Sequence, residues 1–436
     1  MNLGRRAALL GLPLALAGCE TLNSLFGDDK KKIEGKRDPI LGGGPGMSVD
    51  PSLSQVVVPP ATPLASWPQN GGTLSHAVGN VAVTGLAPAW STGIGDGAGY
   101  RAKLTSQPLV EAGRAYAMDS DGHVAAIDLA NGSRLWRVDT QAEGNRSTNI
   151  GGGIAIESGT IYATTGRGEA MALEAASGKI LWRQDLGIPA RSGPSVSSGR
   201  MHFTTLDDQV LALSLKDGSR IWGYKGATVA TTVLADAAPA ISDGFVVAGF
   251  GSGELVALRA DSGALVWSDS LAGSGGASLD LTAIRALPVV DRGRVYAIGV
   301  GGLLVALDLR TGRRLWEREI GGGQTPCLAG DWLFVQSTNQ SLAAIQAADG
   351  HVRWVQDLPR WENPAKQRDP IFWSGPLMAS GKLILAGTSQ QAVSVDPVSG
   401  RLLGILDLGS SVSISPVAAA GTVLILTDGG SLKAFR

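Results

Sequence analysis

Short apolar runs separated by glycine and aspartate dominate the chain from about residue 87 onwards. In the stretch 287–316, apolar runs at 287–290, 295–298 and 303–307 are separated by turn sequences, and Arg314-Leu315-Trp316 follows a further turn. Runs of four or five β-branched or apolar residues bounded by glycine and aspartate are typical of β-strands. This stretch therefore predicts four short strands joined by tight turns.

The end of this unit recurs along the chain as an apolar run, a turn glycine and a tryptophan. The copies are AIDLANGSRLW (126–136), ALEAASGKILW (172–182), ALSLKDGSRIW (212–222), ALRADSGALVW (257–267), ALDLRTGRRLW (306–316), AIQAADGHVRW (344–354) and a degenerate SVDPVSGRLLG (394–404). Their mean spacing is about 45 residues, the length of one four-stranded unit in a repeat protein. The repeat tryptophans are Trp136, Trp182, Trp222, Trp267, Trp316 and Trp354.

The repeat predicts an all-β fold, an eight-bladed β-propeller of four-stranded antiparallel blades over residues 67–436. One such sheet cannot cover both of its faces, and stacking the sheets around a ring buries them. After seven complete units, the C-terminus supplies only three strands. Trp90 lies in repeat register, 46 residues before Trp136, so we expect residues 87–90 to complete the last blade and close the ring. The tryptophans are expected to pack between neighbouring blades.

The N-terminus has the features of an export signal. Arg5 and Arg6 precede an apolar stretch that is too short to span a bilayer, so residues 1–18 are interpreted as a signal peptide. Leu16-Ala17-Gly18-Cys19 resembles a bacterial lipobox, which predicts lipidation at Cys19; an ordinary signal peptide with a chance cysteine is the alternative. The resemblance favours a lipid anchor at the periplasmic face of the outer membrane. Export through the Sec or the twin-arginine route is left open.

Residues 19–66 show no persistent hydrophobic periodicity. A charge run at 28–32 is followed by glycines at 42–44 and 46 and by several prolines. This composition is typical of a linker, and we interpret the segment as a tether between lipid and folded body.

Composition and charge exclude several functions. Lys plus Arg is 37 and Asp plus Glu is 38, a formal net charge of −1, so no concentrated positive field exists to hold nucleic acid. Cys19 and Cys327 are the two cysteines, and the four histidines do not occur at ligand spacing, which argues against a disulfide framework or a Cys/His metal centre. No catalytic constellation, metal site or cofactor site is predicted.

The repeat resembles that of pyrroloquinoline-quinone (PQQ) enzymes, which are eight-bladed propellers, and of their non-catalytic relatives. Together with the lipobox, the tether and the motif Trp67-Pro68-Gln69-Asn70-Gly71-Gly72, it resembles the BamB family of outer-membrane assembly lipoproteins, particularly α-proteobacterial members. The resemblance implies a non-catalytic scaffold of the β-barrel assembly machinery that binds the periplasmic POTRA domains of BamA. It also implies contact with unfolded barrel precursors.

Two other functions remain as alternatives. One is a PQQ-dependent periplasmic dehydrogenase, although those enzymes typically carry an adjacent cysteine pair and this chain has none. The other is a different periplasmic protein-binding propeller.

The resemblance also implies a partner surface on the loops that enter two neighbouring central blades. The matching segments are 231–236 and 280–285, from which Val233, Leu234, Asp280 and Arg285 are the candidate partner-binding residues. Members from enterobacteria carry an arginine in the first loop and paired aspartates in the second, so the charges here are nearly exchanged. Packing of Val233 and Leu234 on the propeller itself is the alternative.

The lipobox generates a direct prediction. Cys19→Ala removes the thiol that would carry the lipid, so we expect the variant to leave the membrane fraction for the soluble periplasmic fraction. Fractionation should be done in cells lacking the partner proteins, because a bound partner would also retain the chain. Membrane retention of the variant in such cells would contradict the lipid anchor.

Overall fold

Eight four-stranded antiparallel sheets make up the structure, a computed structural model that describes residues 45–100, 102–143, 148–227, 237–272 and 283–436. The sheets are the blades of an eight-bladed β-propeller, as the repeat predicts. In blades 1 to 7 each strand pairs with the next along the chain, from a buried first strand to a more exposed fourth strand. The one helical segment in the described ranges is a 3-10 turn at Pro45–Met47. None of the described helical structure has the length and apolar character needed to cross a bilayer.

Blades 1 to 4 follow the chain in order. Blade 1 contains β2 (Leu109–Glu111), β3 (Arg114–Met118), β4 (Val124–Asp128) and β5 (Arg134–Val138). Blade 2 contains β6 (Gly152–Glu157), β7 (Thr160–Thr165), β8 (Glu169–Glu174) and β9 (Ile180–Asp185). Blade 3 contains β10 (Ser195–Ser197), β11 (Arg200–Thr204), β12 (Gln209–Ser214) and β13 (Arg220–Lys225). Blade 4 contains β14 (Ala240–Ser242), β15 (Phe245–Gly249), β16 (Glu254–Arg259) and β17 (Leu265–Ser270).

Blades 5 to 8 complete the ring. Blade 5 contains β18 (Val289–Asp291), β19 (Arg294–Ile298), β20 (Leu304–Asp308) and β21 (Arg314–Arg318). Blade 6 contains β22 (Cys327–Ala329), β23 (Trp332–Gln336), β24 (Ser341–Gln346) and β25 (Val352–Asp357). Blade 7 contains β28 (Trp373–Ala379), β29 (Lys382–Gly387), β30 (Gln391–Val395) and β31 (Leu402–Asp407). Blade 8 contains β32 (Val417–Ala419), β33 (Thr422–Thr427), β34 (Ser431–Phe435) and, as its fourth strand, β1 (Pro88–Gly93).

The ring closes by pairing the first strand of the described chain with the last. Strand β1 runs antiparallel to β34, with Trp90 opposite Ala434, which confirms the closure expected from Trp90. A small hairpin, β26 (Trp361–Asn363) with β27 (Arg368–Pro370), was not expected. It is inserted between blades 6 and 7 and lies outside the repeat.

Each interface between two neighbouring blades is here called a joint. At seven of the eight joints a tryptophan of one blade packs against the next blade. Each indole Nε1 donates a hydrogen bond of 2.8–3.1 Å to a backbone carbonyl of the following blade, three residues before its turn glycine. The tryptophans are Trp90, Trp136, Trp182, Trp222, Trp267, Trp316 and Trp354. They lie between neighbouring blades, in the place predicted.

The turn glycine of the next blade is the other half of each joint. Its φ is between 70° and 78° at all seven positions, the left-handed region that glycine adopts without strain. A Cβ atom there would lie within 2.5–2.8 Å of the preceding tryptophan ring. The glycines are Gly132, Gly178, Gly218, Gly263, Gly312, Gly350 and Gly400. Both the turn and the approach of the indole therefore require glycine.

The buried apolar residues form layers between blades rather than one central core. One cluster combines Leu109, Tyr116 and Met118 of blade 1 with Ile154 and Ile161 of blade 2, and equivalent clusters fill the following interfaces. The largest cluster spans blades 7, 8 and 1. Each blade is therefore stabilised mainly by its two neighbours.

The tether expected over residues 19–66 ends earlier than predicted. Residues 45–66 lie against the propeller: Val49 forms a parallel bridge with Val352, and Val56 is 3% exposed in the cluster of blades 6 and 7. An extended segment that buries single residues in successive grooves has no hydrophobic period, which is why the sequence pattern indicated a linker. Residues 1–44, and with them Cys19, lie outside the described residues.

Residues 64–84, here called the N-terminal strap, hydrogen-bond to the first strands or adjoining turns of seven of the eight blades. Backbone amides at equivalent places in blades 1, 2, 4 and 5 donate to strap carbonyls at 2.7–3.0 Å, and Val196 of blade 3 donates to the Gln69 side chain at 3.2 Å. Blades 7 and 8 bind the strap at Val81 and at Leu64 and Thr84. The strap thus satisfies backbone groups on the free inner edges of the sheets, which otherwise lack strand partners.

The joint predicts a non-additive mutational pattern. Trp267→Ala removes a 7% exposed indole, so the free energy of unfolding should fall by about 3–5 kcal/mol, the usual cost of such a truncation in a core. Gly312→Ala should also destabilise, because its Cβ would lie 2.5 Å from Cγ of Trp267. In the double variant the cost should be clearly less than the sum, since the clash disappears with the ring.

Urea denaturation followed by far-ultraviolet circular dichroism measures this cycle. Leu265→Ala, on the same strand but 49% exposed, is the control and should change stability by no more than about 0.5 kcal/mol. Strictly additive costs would show that indole and glycine do not form one joint.

Two buried histidines make stability depend on pH. Burial lowers the pKa of His76 in the strap and of His202 in blade 3 to about 4. The Nδ1 atom of His76 lies 2.7 Å from the carbonyl oxygen of Pro288, and the His202 ring centroid lies 5.4 Å from that of Trp222. Both rings are therefore neutral in the folded protein at neutral pH.

The unfolded chain takes up protons on these histidines below about pH 6.5, whereas the folded chain does so only near pH 4. Stability is therefore full above pH 6.5 and falls as the pH drops towards 4, by about 1.4 kcal/mol per pH unit for each histidine. His202→Tyr, which installs the residue found at the equivalent place in blades 1, 2 and 5, should make this fall less steep. Exposed His351→Gln is the control, and equal slopes for wild type and His202→Tyr between pH 6 and 4.5 would refute the assignment.

Candidate functional site

The loops that lead into the first strands converge at one end of the ring, around a cavity of about 380 Å³ that we call the mouth. Blades 1, 5, 6 and 8 all contribute to it, because the residues just before each first strand lie around the channel axis. Its lining consists of Lys103, Leu104, Thr105, Gln107, Arg285, Leu287, Gly323, Gln324, Thr325, Ser413, Ile414 and Ser415. The mouth is therefore lined by both polar and apolar side chains, and two of its side chains are cationic.

A second cavity of about 490 Å³ adjoins the mouth towards blades 6 and 7. It shares Arg285, Gln324 and Ser413 with the mouth, and Phe372 lines its rim with 57% of its surface exposed. Phe372 lies two residues after the hairpin β26–β27. The face therefore offers one exposed aromatic ring beside one exposed cation.

Arg285 is an exposed residue in an otherwise buried stretch. Ala283, Ile284 and Ala286 are at most 2% exposed, and the backbone is held at both sides, since Ile284 donates to the Phe250 carbonyl and Val300 donates to the Ala283 carbonyl at 3.0 Å each. No ion-pair partner for Arg285 occurs among the described residues. Partial burial of the Arg285 guanidinium lowers its pKa, but the group stays charged.

A buried arginine fixes this backbone from below. Arg191, 2% exposed, donates from Nη2 to the Ile284 carbonyl at 3.0 Å and from Nη1 to the Gly249 carbonyl at 3.5 Å. Its Nη1 also lies 3.7 Å from Oδ1 of Asp208, whose pKa is raised mainly by burial. One guanidinium therefore ties the entry to blade 3 to blades 4 and 5. Arg285 is thus presented from a rigid support.

The described residues of the mouth do not fit a calcium–quinone site. Calcium takes six to eight oxygen ligands, with carboxylates prominent among them. Neither cavity is lined by an aspartate or glutamate among the described residues, and the charged groups present, Lys103 and Arg285, would repel a cation. The lining instead favours a negatively charged partner group.

One group of acidic and histidine side chains lies elsewhere in the described residues. Asp96, Asp119 and His123 approach each other within 4.8 Å, but Nη2 of Arg137 lies 3.0 Å from Oδ2 of Asp119 and 3.3 Å from Oδ2 of Asp96. The arginine already neutralises the carboxylates. The segment 119–122 is a turn between the second and third strands of blade 1, as its sequence indicates.

Cys327 is a buried free thiol whose pKa is raised to about 12 by burial.

Only one of the four candidate partner-binding residues can be placed. Arg285 lies exposed at the mouth, whereas Val233, Leu234 and Asp280 lie outside the described residues. The sequence analysis missed Arg191 and Phe372. No local pattern marks Arg191, because it donates to backbone carbonyls that lie 58 and 93 residues further along the chain.

Comparison with known proteins identifies the family. The family model described as "Outer membrane protein assembly factor BamB" matches residues 87–149 and 120–356, more than half of the chain. The chain belongs to the BamB family. The particular likeness to α-proteobacterial members stays a prediction.

Individual BamB proteins are similar over most of their length. "Outer membrane protein assembly factor BamB" of Yersinia pestis is 29% identical over 355 residues, covering 79% of this chain and 88% of that protein. The crystal structure of BamB from Moraxella catarrhalis superposes with a TM-score of 0.67 at 17% identity, covering 80% of this chain and 99% of that one.

The propeller is shared more widely than the family. Quinohemoprotein alcohol dehydrogenase from Comamonas testosteroni superposes with a TM-score of 0.68 at 14% identity, covering 85% of this chain and 80% of that one. At this identity the likeness shows the fold alone. The family assignment rests on the match to the family model, and the relatives similar in sequence are likewise named as assembly factors.

Proposed function

We propose that this chain is a non-catalytic scaffold of the β-barrel assembly machinery, held at the periplasmic face of the outer membrane by lipid on Cys19. Membership of the BamB family supports the assembly role, and the resemblance of residues 16–19 to a lipobox supports the anchor. The mouth supports a binding role, because its described lining combines a cation on a fixed backbone with apolar and hydrogen-bonding groups.

The proposed partner surface is the mouth face at the entries to blades 4 and 5, and the proposed partner is the POTRA region of BamA. The observation that carries this is Arg285, an exposed charge on a backbone that Arg191 and two backbone hydrogen bonds hold in place. Because this backbone is already held in place, a partner that binds here does not have to order the loop. Val233, Leu234 and Asp280 are proposed to extend the same surface.

The cationic mouth sets a requirement on the partner. Since Lys103 and Arg285 are the charged groups of its described lining, the matching POTRA surface should carry aspartate or glutamate. The family resemblance implies the opposite arrangement of charge in this second loop of enterobacterial members. A BamA from the same organism should therefore bind better than one from an enterobacterium.

Arg285→Glu tests the surface. We expect at least a fivefold loss of BamA co-purified with the chain from its native membranes, and a larger loss for Leu234→Asp combined with Arg285→Glu. The unfolding temperature should stay within a few degrees, because Arg285 is exposed and unpaired among the described residues.

The control is Arg313→Glu, in the turn between the third and fourth strands of the same blade. That turn is exposed and lies at the opposite end of the blade, so the same charge reversal there should leave BamA recovery unchanged. Undiminished recovery of BamA with a well-folded Arg285→Glu variant would place the interface elsewhere.

A further inference from the structure

The joint between blades 7 and 8 lacks the tryptophan that the other seven joints contain. Gly404 occupies the repeat position, opposite Ser394, just as Trp136 lies opposite Ala126 in blade 1. A Cβ atom at Gly404 would meet only the Ser394 hydroxyl, at 3.5 Å. The space that an indole fills elsewhere is therefore open.

The turn glycine is missing from this joint as well. Because the fourth strand of blade 8 is β1, no turn connects it to the third strand, and the segment 85–87 that leads into β1 lies beside Arg436 instead. Ring closure by the two chain ends thus removes one half of the joint, and Gly404 removes the other.

The result is an apolar pocket of about 180 Å³ at the joint between blades 7 and 8, which we call the seam. Ile384 and Leu406 of blade 7 face Val423, Ile425 and Phe435 of blade 8 across it. An engineered apolar cavity of roughly 150 Å³ is large enough to bind benzene. The seam therefore has room for one aromatic ring and the apolar lining to hold it.

The strand beside the pocket is exposed and apolar. Leu402, Leu403 and Ile405 of β31 are 37%, 45% and 58% exposed. In blades 1 and 2 the place of Ile405 is taken by Arg137 and Arg183, which protect an outer strand from pairing. The outer edge of β31 has no strand partner among the described residues, since β31 is the last strand of its sheet.

We propose that this seam binds an extended segment of an unfolded outer-membrane β-barrel protein, which pairs with β31 and inserts an aromatic side chain into the pocket. The seven filled joints define the chemistry of the occupant, because each places an indole on the equivalent face of a blade. Strands of such barrels alternate apolar and polar residues and carry aromatic residues near both membrane interfaces. This inference rests on the proposed function and names the substrate segment that the scaffold would hold.

Binding of a defined probe tests the pocket directly. The probe is a fluorescently labelled peptide of alternating threonine and valine with one central tryptophan, compared with the same peptide carrying alanine instead. The wild-type chain should bind the tryptophan peptide at least tenfold more tightly. Gly404→Trp should fill the pocket and abolish the preference, with an unfolding temperature at or above that of wild type.

Ile405→Arg is a second variant that alters only the rim, and it should weaken binding of both peptides. Leu181→Arg is the control, because Leu181 is similarly exposed (53%) on the outer strand of blade 2, where Trp182 fills the joint. Equal affinity of the wild-type chain for the two peptides, or a preference for the tryptophan peptide that survives in Gly404→Trp, would overturn the proposal.

A photoreactive benzoylphenylalanine at position 405 in living cells identifies the occupant. Cross-links to aromatic strand segments of outer-membrane barrel proteins, absent for the same probe at position 181, would support the proposal. Cross-links to a second copy of this chain or to its own residues 20–44 would overturn it. Recovery of BamA with the Gly404→Trp variant should be unchanged. A failure to bind the peptides can therefore be distinguished from a failure to bind BamA, which would contradict the proposed function.

Discussion

The packing of a tryptophan ring on a turn glycine is the interaction on which the rest of the structure depends. Each blade has little core of its own, so its stability is that of its interfaces. The indole adds apolar area and one hydrogen bond across each joint, and the glycine allows the ring to approach the backbone. Seven such joints in series hold the loops of the mouth at fixed distances from each other. Rigidity at the mouth is therefore a property of the whole ring.

The ends of the described chain explain the two departures from strict repetition. Closure by β1 removes the turn of blade 8, and the joint next to it is the one without tryptophan. The N-terminal strap then crosses the inner strands and satisfies backbone groups that the repeat itself leaves unpaired. The way in which the ring closes is thus linked both to the strap that covers the inner strands and to the open pocket between blades 7 and 8.

Repetition made the blades predictable from sequence. Strand positions, turn glycines and the pairing of Trp90 with the last blade follow from a pattern that occurs seven times, and errors at one copy are corrected by the others. The strap could not be predicted in this way, because it binds most blades at only one or two positions and its buried residues, such as Trp67 and Val81, have no period. Arg191 could not be predicted for a related reason, since its guanidinium donates to backbone carbonyls of residues that are distant in sequence. Arg285 was found through family resemblance, and only its rigid support came from the structure.

The strap also has a consequence for the order of folding. It is made first, yet its partners include Ser380, Gly381 and Gly421, from 297 to 337 residues further along the chain. Contacts of such long range form slowly, because a large loop must close before they contribute. Docking of the strap on blades 7 and 8 must therefore wait until the last blade has been made. During that interval the inner edges of these blades are unpaired, and unpaired strand edges make a folding chain prone to aggregation.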